Sequence, residues 1–364
     1  MSDVEVRELR DDEHAAWDRE VDAWDGRPVQ TTWWAAPLAR YGIGHRVIGR
    51  FERGELTGGV LVRVVRMPGL PVTMLDALRG PLGADWTDEQ VRSLVDQVQR
   101  LVEEQRSVQV TFQAVPDPVL HSRLRAELAR RRGGVTTYAL PAEAIIDLRG
   151  RTLDDVVADF GRTPKRHLRV ATRSAIEVRD LTAADELDQA YDCFAASAER
   201  QGFVELRPRD ALVPMLRHGA DTGAGLTLGA MADGEVVAAT FVTMVGPIAE
   251  YLYGGYRTDT VGGAKVHPSL AVHAEGIARA IAAGKAGYSL GLVGATASSA
   301  GVDRFKRGVG AVEVPTSEAI TWTVRPWAAR LLTAMRTTSW GKRVVKRVRR
   351  AAVRRGARPV AADG

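Results

Sequence analysis

Towards the end of the chain an aromatic residue and two cations stand in a row, Phe305-Lys306-Arg307, within the segment Phe305-Lys306-Arg307-Gly308-Val309-Gly310. An aromatic face is a platform on which any exposed base can stack, at about 1–3 kcal/mol per base. The adjoining lysine supplies a positive charge that can steady a phosphate or an oxyanion formed at a carbonyl. No triad competes with this reading. Ser298-Ser299 fall in a loop pattern, His267 and His273 lie on either side of a helix start, and no Gly-x-Ser-x-Gly elbow occurs. Lys265 and His267-Pro268 read as ordinary loop residues. Cys193, in Ala190-Tyr191-Asp192-Cys193-Phe194, has the surroundings of an inward helix face and not of an activated thiol. The histidines show no metal-ligand spacing with Cys193 or the acids, so neither metal nor cofactor is expected.

The elements that must position these residues come from an internal repeat. At 364 residues the chain is long enough for two domains, and 45% hydrophobic with 26% charged residues is the balance of a packed globular protein. Compared with itself 180 residues on, Ile48-Gly49-Arg50-Phe51-Glu52-Arg53-Gly54-Glu55-Leu56 falls over Leu228-Gly229-Ala230-Met231-Ala232-Asp233-Gly234-Glu235-Val236. Gly49 meets Gly229, Gly54 meets Gly234, and Glu55 meets Glu235. Asp233-Gly234 is a strong hairpin signal and Arg53-Gly54 its weaker copy. Further on, a helical pattern from Asp88 to Gln105 leads into the strand Val108–Phe112, as Leu270 to Ala283 leads into Tyr288–Leu292.

The order of elements predicts an α/β fold of two tandem N-acetyltransferase-like (GNAT) domains with mixed sheets flanked by helices. The first spans 1–142 and the second 143–318. Residues 319–364 are expected to form a C-terminal helix, with Trp327, Leu331, Leu332 and Met335 as its apolar stripe, and a basic tail. Lys342, Arg343, Lys346, Arg347, Arg349, Arg350, Arg354, Arg355 and Arg358, with Asp363 the one acid beside them, give that tail more positive charge than the net +5 of the whole chain, enough to attract RNA or an anionic membrane. Coenzyme A enzymes of this fold hold pyrophosphate in an Arg/Gln-x-x-Gly-x-Gly/Ala loop at a helix N-terminus. Neither repeat has it: Thr260 stands at the first glycine in Arg257–Gly263, and Arg79-Gly80-Pro81-Leu82-Gly83 has the wrong spacing.

Residues 143–315 resemble the FemABX family of aminoacyl-tRNA-dependent transferases, which extend peptidoglycan precursors. Ile145-Ile146-Asp147-Leu148 with the basic stretch from Arg162 to Ala171 looks like the family's "IDL" strand and basic helix. Ala198-Glu199-Arg200-Gln201-Gly202-Phe203 is similar to "T-x-R-x-G-F", and Tyr251-Leu252-Tyr253-Gly254-Gly255 to "Y-x-Y-x-G". Tyr288–Gly294 is similar to "Y-D-L-G-G", with Ser289 for the aspartate, and Phe305–Gly310 to "F-K-x-G-F-G", with Val309 for the second phenylalanine. The resemblance implies that Phe305, Lys306 and Arg307 bind the aminoacylated end of a tRNA, with Lys306 catalytic. It also implies that Arg207 contacts acceptor phosphate, with Tyr253 and Tyr256 lining the acceptor cleft.

The first half matches less well. Gln30-Thr31-Thr32-Trp33-Trp34 looks like the early "Q-S-x-x-W" segment and Arg79-Gly80-Pro81-Leu82 is similar to "x-G-P-V". Leu38 stands where a lysine is usual, Val115 where an acid is usual, and Ala211 where a tyrosine follows Arg207. These departures fall on the acceptor side. The expected function is an aminoacyltransferase moving an amino acid from aminoacyl-tRNA to a primary amine of a peptidoglycan precursor. Alternatives are the same chemistry on a small biosynthetic amine, a coenzyme A-dependent N-acyltransferase, and a non-catalytic RNA- or membrane-binding module. With no signal-peptide pattern and no long apolar run, a cytoplasmic protein is expected, its tail able to touch tRNA or the inner membrane face.

Overall fold

The computed structural model describes residues 4–67, 70–201, 206–294 and 300–327. The chain divides into two compact units, 1–140 together with 317–364, and 141–316.

The first unit runs β1 (Val4–Glu8), α1 (His14–Ala23), α2 (Thr32–Ala35), β2 (Ile43–Glu52), β3 (Glu55–Arg66), β4 (Thr73–Leu78), α3 (Asp88–Glu104), β5 (Ser107–Gln113), α4 (Pro118–Ala129) and β6 (Gly134–Tyr138). The β2–β3 hairpin turns on Arg53 and Gly54, both at positive φ, as the repeat predicted. Helix α3 starts in a capping box between Thr87 and Gln90, and buries Val91, Leu94, Val95, Val98, Leu101 and Val102 at helical spacing. Its sheet has the order β1-β2-β3-β4-β5, then the strand Ala319–Thr323, then β6. Between β3 and β4 the buried Gln30 side chain takes the place of ladder bonds. Its amide accepts from the Leu61 N–H at 2.8 Å and donates to the Leu78 carbonyl at 2.6 Å.

The second unit runs β7 (Glu143–Asp147), α5 (Leu153–Ala158), α6 (Arg162–Thr172), β8 (Glu177–Asp180), α7 (Ala184–Gln201), α8 (Arg209–Thr222), β9 (Gly225–Ala232), β10 (Glu235–Thr243) and β11 (Ile248–Tyr256). A short hairpin of β12 (Thr260–Val261) and β13 (Ala264–Lys265) follows, then α9 (Pro268–Ala282), β14 (Gly287–Leu292), α10 (Ala300–Gly308) and β15 (Val312–Val314). Its sheet order is β8-β9-β10-β11-β14-β7-β15. Matched to the first sheet strand by strand, β7 occupies the position that Ala319–Thr323, hereafter β16, occupies there. In each sheet one central pair is parallel, β4–β5 and β11–β14. This is the tandem mixed-sheet architecture expected from the repeat.

The segment 319–364 departs from expectation at its start. Ala319–Thr323 is not helix but a strand between β5 and β6, with Ala319, Ile320 and Trp322 buried. The β-branched and aromatic residues of Ala-Ile-Thr-Trp-Thr suit a half-pleated surface covered on both faces, and Thr321 meets Thr111 of β5 hydroxyl to hydroxyl at 3.2 Å. Leu331, Leu332, Met335 and the basic tail lie outside the described residues; Trp327 is exposed. Among the described residues, no helix is long and apolar enough to cross a membrane.

Candidate functional site

The two parallel pairs behave differently. In the second unit, β11 pairs with β14 only from Ile248 to Glu250, opposite Gly287 to Ser289. Beyond that β11 continues to Tyr256 on β10 alone, so the sheet splays between β11 and β14. At the point of parting β11 carries a bulge: Phe241 of β10 faces Tyr253 and Val242 faces Tyr251, which leaves Leu252 as the extra residue. An extra residue breaks the two-residue alternation and re-aims the side chains on either side of it. Tyr251 therefore joins His273 of α9, with ring centroids 4.3 Å apart, while Tyr253 joins Phe194 of α7 at 5.9 Å. Gly254 makes the crossing possible, because a Cβ there would strike the Tyr251 hydroxyl.

Helix α10 brings Phe305 onto the same face as Tyr251. The Phe305 ring lies 5.1 Å from His273, so Tyr251, His273 and Phe305 form a continuous cluster of tilted rings. Burial alone pushes the His273 imidazole down to about 4 and the Tyr251 phenol up to about 12, so both are neutral near pH 7. One residue on, Lys306 is buried at 8% exposure and its ammonium donates to the Leu292 carbonyl, at the end of β14, at 2.6 Å. Burial lowers its pKa, and the carboxylates of Asp303 and Glu143 pull the other way. Asp303 accepts from the Gly294 N–H at 3.1 Å. The pair Asp303 and Lys306 thus ties α10 to the exit of β14. Arg307, exposed, is ion-paired with Glu313 at 2.8 Å.

On the α7 side, Arg207 has an ordered place: its guanidinium meets the Met215 sulfur at 2.8 Å and its carbonyl accepts from the Tyr191 hydroxyl at 3.1 Å. It lies close enough to Tyr253 to oppose the upward shift that burial imposes on that phenol. Tyr256 stands at the far end of β11 under the Arg200 guanidinium, which is 4.1 Å from the ring centre and bonds the Tyr256 carbonyl at 2.5 Å. The predicted residues therefore fall into two groups, Phe305 and Lys306 on α10, and Arg207 with Tyr253 beside α7 and α8. Tyr256 belongs to a separate contact with Arg200, and Arg307 to one with Glu313. Gly202-Phe203 and Ser298-Ser299 lie outside the described residues.

Sequence reasoning passed over His273, set aside as a residue beside a helix start. It sits mid-face on α9, and its spacing from Leu270 and Ile277 already marked it as inward. The α9 N-terminus begins with Pro268, preceded by His267 at φ 53°, and the β12–β13 hairpin precedes both. Cys193 is fully buried, and burial pushes its thiol up to about 11, the state of an inert packed sulfur. In the first unit, a cavity of about 550 Å³ lies between α1, α2 and β2, with Trp33, His14 and His45 on its wall beside the Glu8–Arg46 ion pair.

A profile of the acetyltransferase (GNAT) domain family matches residues 159–307, inside the second unit. No curated protein matches the chain by sequence. Among solved structures the chain is similar to FemX, with TM-score 0.74 over 90% of this chain and 99% of that one at 14% identity. It is also similar to L-PGS from Bacillus licheniformis, with TM-score 0.57 over 90% and 97% at 13% identity. A tandem GNAT protein from the clavulanic acid biosynthesis pathway gives TM-score 0.51 over 88% and 99% at 14% identity. The chain has the tandem GNAT acyltransferase fold. Within that class its fold is FemX-like, which is the fold that the FemABX resemblance implied.

Proposed function

We propose that this protein is an aminoacyltransferase that takes the amino acid from aminoacyl-tRNA and joins it to a primary amine of a peptidoglycan precursor. The observation that carries the reading is the pairing of Phe305 and Lys306 on α10 at the splay between β11 and β14. Phe305 extends an aromatic cluster and offers a ring against which the terminal base of the donor can lie. The Lys306 ammonium has three donors, of which Leu292 takes one. A remaining N–H stabilises the oxyanion as the acceptor nitrogen adds to the ester carbonyl. The C–N bond forms, the ester C–O bond breaks, and the proton lost by the amine passes to the departing ribose oxygen. Arg207 and Tyr253 hold the acceptor on the α7 side; Tyr256 and Arg307 border the two ends, each in its own cation contact.

Coenzyme A is the weaker donor for this site. Its pyrophosphate needs a run of backbone N–H groups at the helix following β11, but Pro268 has none to give at the first position of α9. The test is transfer of radiolabel from a pool of charged tRNAs to cell-wall precursors, with and without ribonuclease, beside a reaction with labelled acetyl-coenzyme A. Ribonuclease-sensitive labelling of a muropeptide is expected. Labelling from acetyl-coenzyme A alone overturns the donor, and ribonuclease-sensitive labelling of small amines in place of muropeptides overturns the acceptor.

A further inference from the structure

Helix α6 carries Arg162, Arg166 and Arg169, and Arg173 follows at its C-cap, a spacing of four, three and four residues that sets all four on one face. At 1.5 Å per residue the row is about 16 Å long. All four arginines are exposed. Six other arginines of the same unit, Arg149, Arg151, Arg179, Arg209, Arg257 and Arg279, each hold a carboxylate. The exposed Arg200, Arg217 and Arg304, which hold none among the described residues, come one each from α7, α8 and α10 and form no row on one helix. Among the described residues Arg162, Arg166, Arg169 and Arg173 hold none; Arg166 reaches only the neighbouring His167 ring, at 3.4 Å. On the N-terminal side of the helix, Asp155 is engaged by Thr152 and Asp159 by Arg151. A row of unpaired like charges repels itself, and that cost is relieved by a polyanion laid along it.

Two contacts fix where this row lies. The Gly161 N–H, at the head of α6, donates to the Gly308 carbonyl, at the foot of α10, at 2.8 Å. His167 stacks on His267, just before α9, with ring centres 3.6 Å apart and planes 13° from parallel. The row thus starts beside the helix of Phe305 and Lys306 and passes an imidazole stack on its way along α6.

We propose that the α6 arginine row docks the sugar-phosphate backbone of the RNA duplex next to the aminoacylated 3′ end. The proposal rests on the aminoacyl-tRNA reading of the donor site. A duplex presents about one negative charge per 1.7 Å of axis, so phosphates lie opposite a row of about 16 Å whatever the base sequence. That fits an enzyme that must hold its donor by the end and not by an internal sequence. An anionic bilayer is the lesser match, because a helix lying on lipid sinks large apolar residues and Val170 is the one sizeable apolar side chain exposed on α6.

The experiment measures binding of the full chain to uncharged bulk tRNA by filter retention from 50 to 200 mM salt. It compares wild type, the quadruple variant Arg162→Gln/Arg166→Gln/Arg169→Gln/Arg173→Gln, the matching quadruple Arg→Lys variant, and Arg149→Gln/Arg257→Gln as a control. Removing four phosphate-binding charges makes the slope of log affinity against log salt shallower by about 3–4, so wild type weakens about a hundredfold more than the glutamine variant across that range. The lysine variant and the control keep the wild-type slope. An unchanged slope in a folded glutamine variant overturns the docking face while leaving the aminoacyl-tRNA reading intact. Absence of tRNA binding by wild type, with transfer from acetyl-coenzyme A, overturns that reading and the inference with it. Loss of binding to phosphatidylglycerol vesicles with tRNA binding retained assigns the row to the membrane and overturns the RNA proposal.

Discussion

The same strand order closes in one unit and opens in the other. In the first, β4 and β5 stay paired along the whole of β4, from Thr73 opposite Ser107 through one register shift to Leu78 opposite Gln113, and Gln30 completes the neighbouring gap with its own amide. In the second, β11 and β14 part after three residue pairs, a bulge turns Tyr251 and Tyr253 to opposite faces, and aromatic rings with a buried ammonium line the parting. A strand that leaves its partner exposes backbone groups that want hydrogen bonds. Closing the ladder favours stability and opening it makes room for a reacting group. The difference teaches that duplication of this unit supplied two sheets but only one divergent strand pair.

The largest expected effect falls on the open pair. Lys306→Ala should cut transfer by about 10²–10³ in kcat, the usual consequence of losing one oxyanion donor, at temperatures where the second unit stays folded. The pH profile sharpens the point. Only the protonated ammonium sets a positive charge against the oxyanion, so activity falls as pH rises through its pKa, which burial has lowered from the ordinary 10.5. Wild type should therefore lose activity below the pH at which a free lysine deprotonates, after correction for spontaneous ester hydrolysis, and Lys306→Ala should lack that limb. Unchanged transfer in Lys306→Ala removes the site assignment.

His273 makes the open pair sensitive to acid. In the unfolded chain its imidazole titrates at the ordinary 6.5, and in the folded unit at about 4. Between these values the unfolded state binds a proton that the folded state does not. Stability is therefore full above pH 6.5 and is lost progressively as pH falls towards 4, by about 3 kcal/mol in all. Every tryptophan among the described residues belongs to the first unit, so their fluorescence follows that unit while amide exchange across α9 follows the second. His273→Phe should flatten the acid dependence of α9 exchange and leave the fluorescence transition where it was.

Gln30 tests the closed pair. Gln30→Ala leaves the Leu61 N–H and the Leu78 carbonyl without their buried partner, which should cost roughly 2 kcal/mol. The loss should appear in the tryptophan transition, with kcat unchanged at temperatures where the first unit stays folded. A fall in kcat at such temperatures would mean that the closed pair takes part in the reaction.

Much of this division was legible in the residues. Glycines 49, 54, 229 and 234 marked the repeat, and the turn glycines 54 and 234 did so because a hairpin needs positive φ at a fixed place. The order of FemABX-like segments pointed to α10. Three features were not legible. Ala319–Thr323 is a strand because a sheet far upstream in sequence has a place for it, and pairing at that separation leaves no local pattern. The bulge at Leu252 is hidden because Tyr-Leu-Tyr reads as regular alternation, whereas the register with β10 is what sends the two tyrosines apart. The neutrality of His273 depends on being enclosed by Tyr251 and Phe305, which come from two other elements.

The smallest effect concerns what the aromatic cluster is for. Phe305 packs against the core of its unit as well as against His273, so a purely structural role and a donor platform both predict that Phe305→Leu does harm. They differ in where the harm appears. A platform for a terminal base contributes about 1–3 kcal/mol, so its loss should raise KM for charged tRNA about tenfold, with kcat and α9 amide exchange nearly unchanged. A core residue trimmed to leucine, similar in volume, should instead quicken α9 exchange and leave KM alone. Phe305→Tyr keeps a ring and should keep the wild-type KM. If KM holds in Phe305→Leu while exchange quickens, the open pair is lined by packing residues, and the contrast between the two units reduces to Lys306.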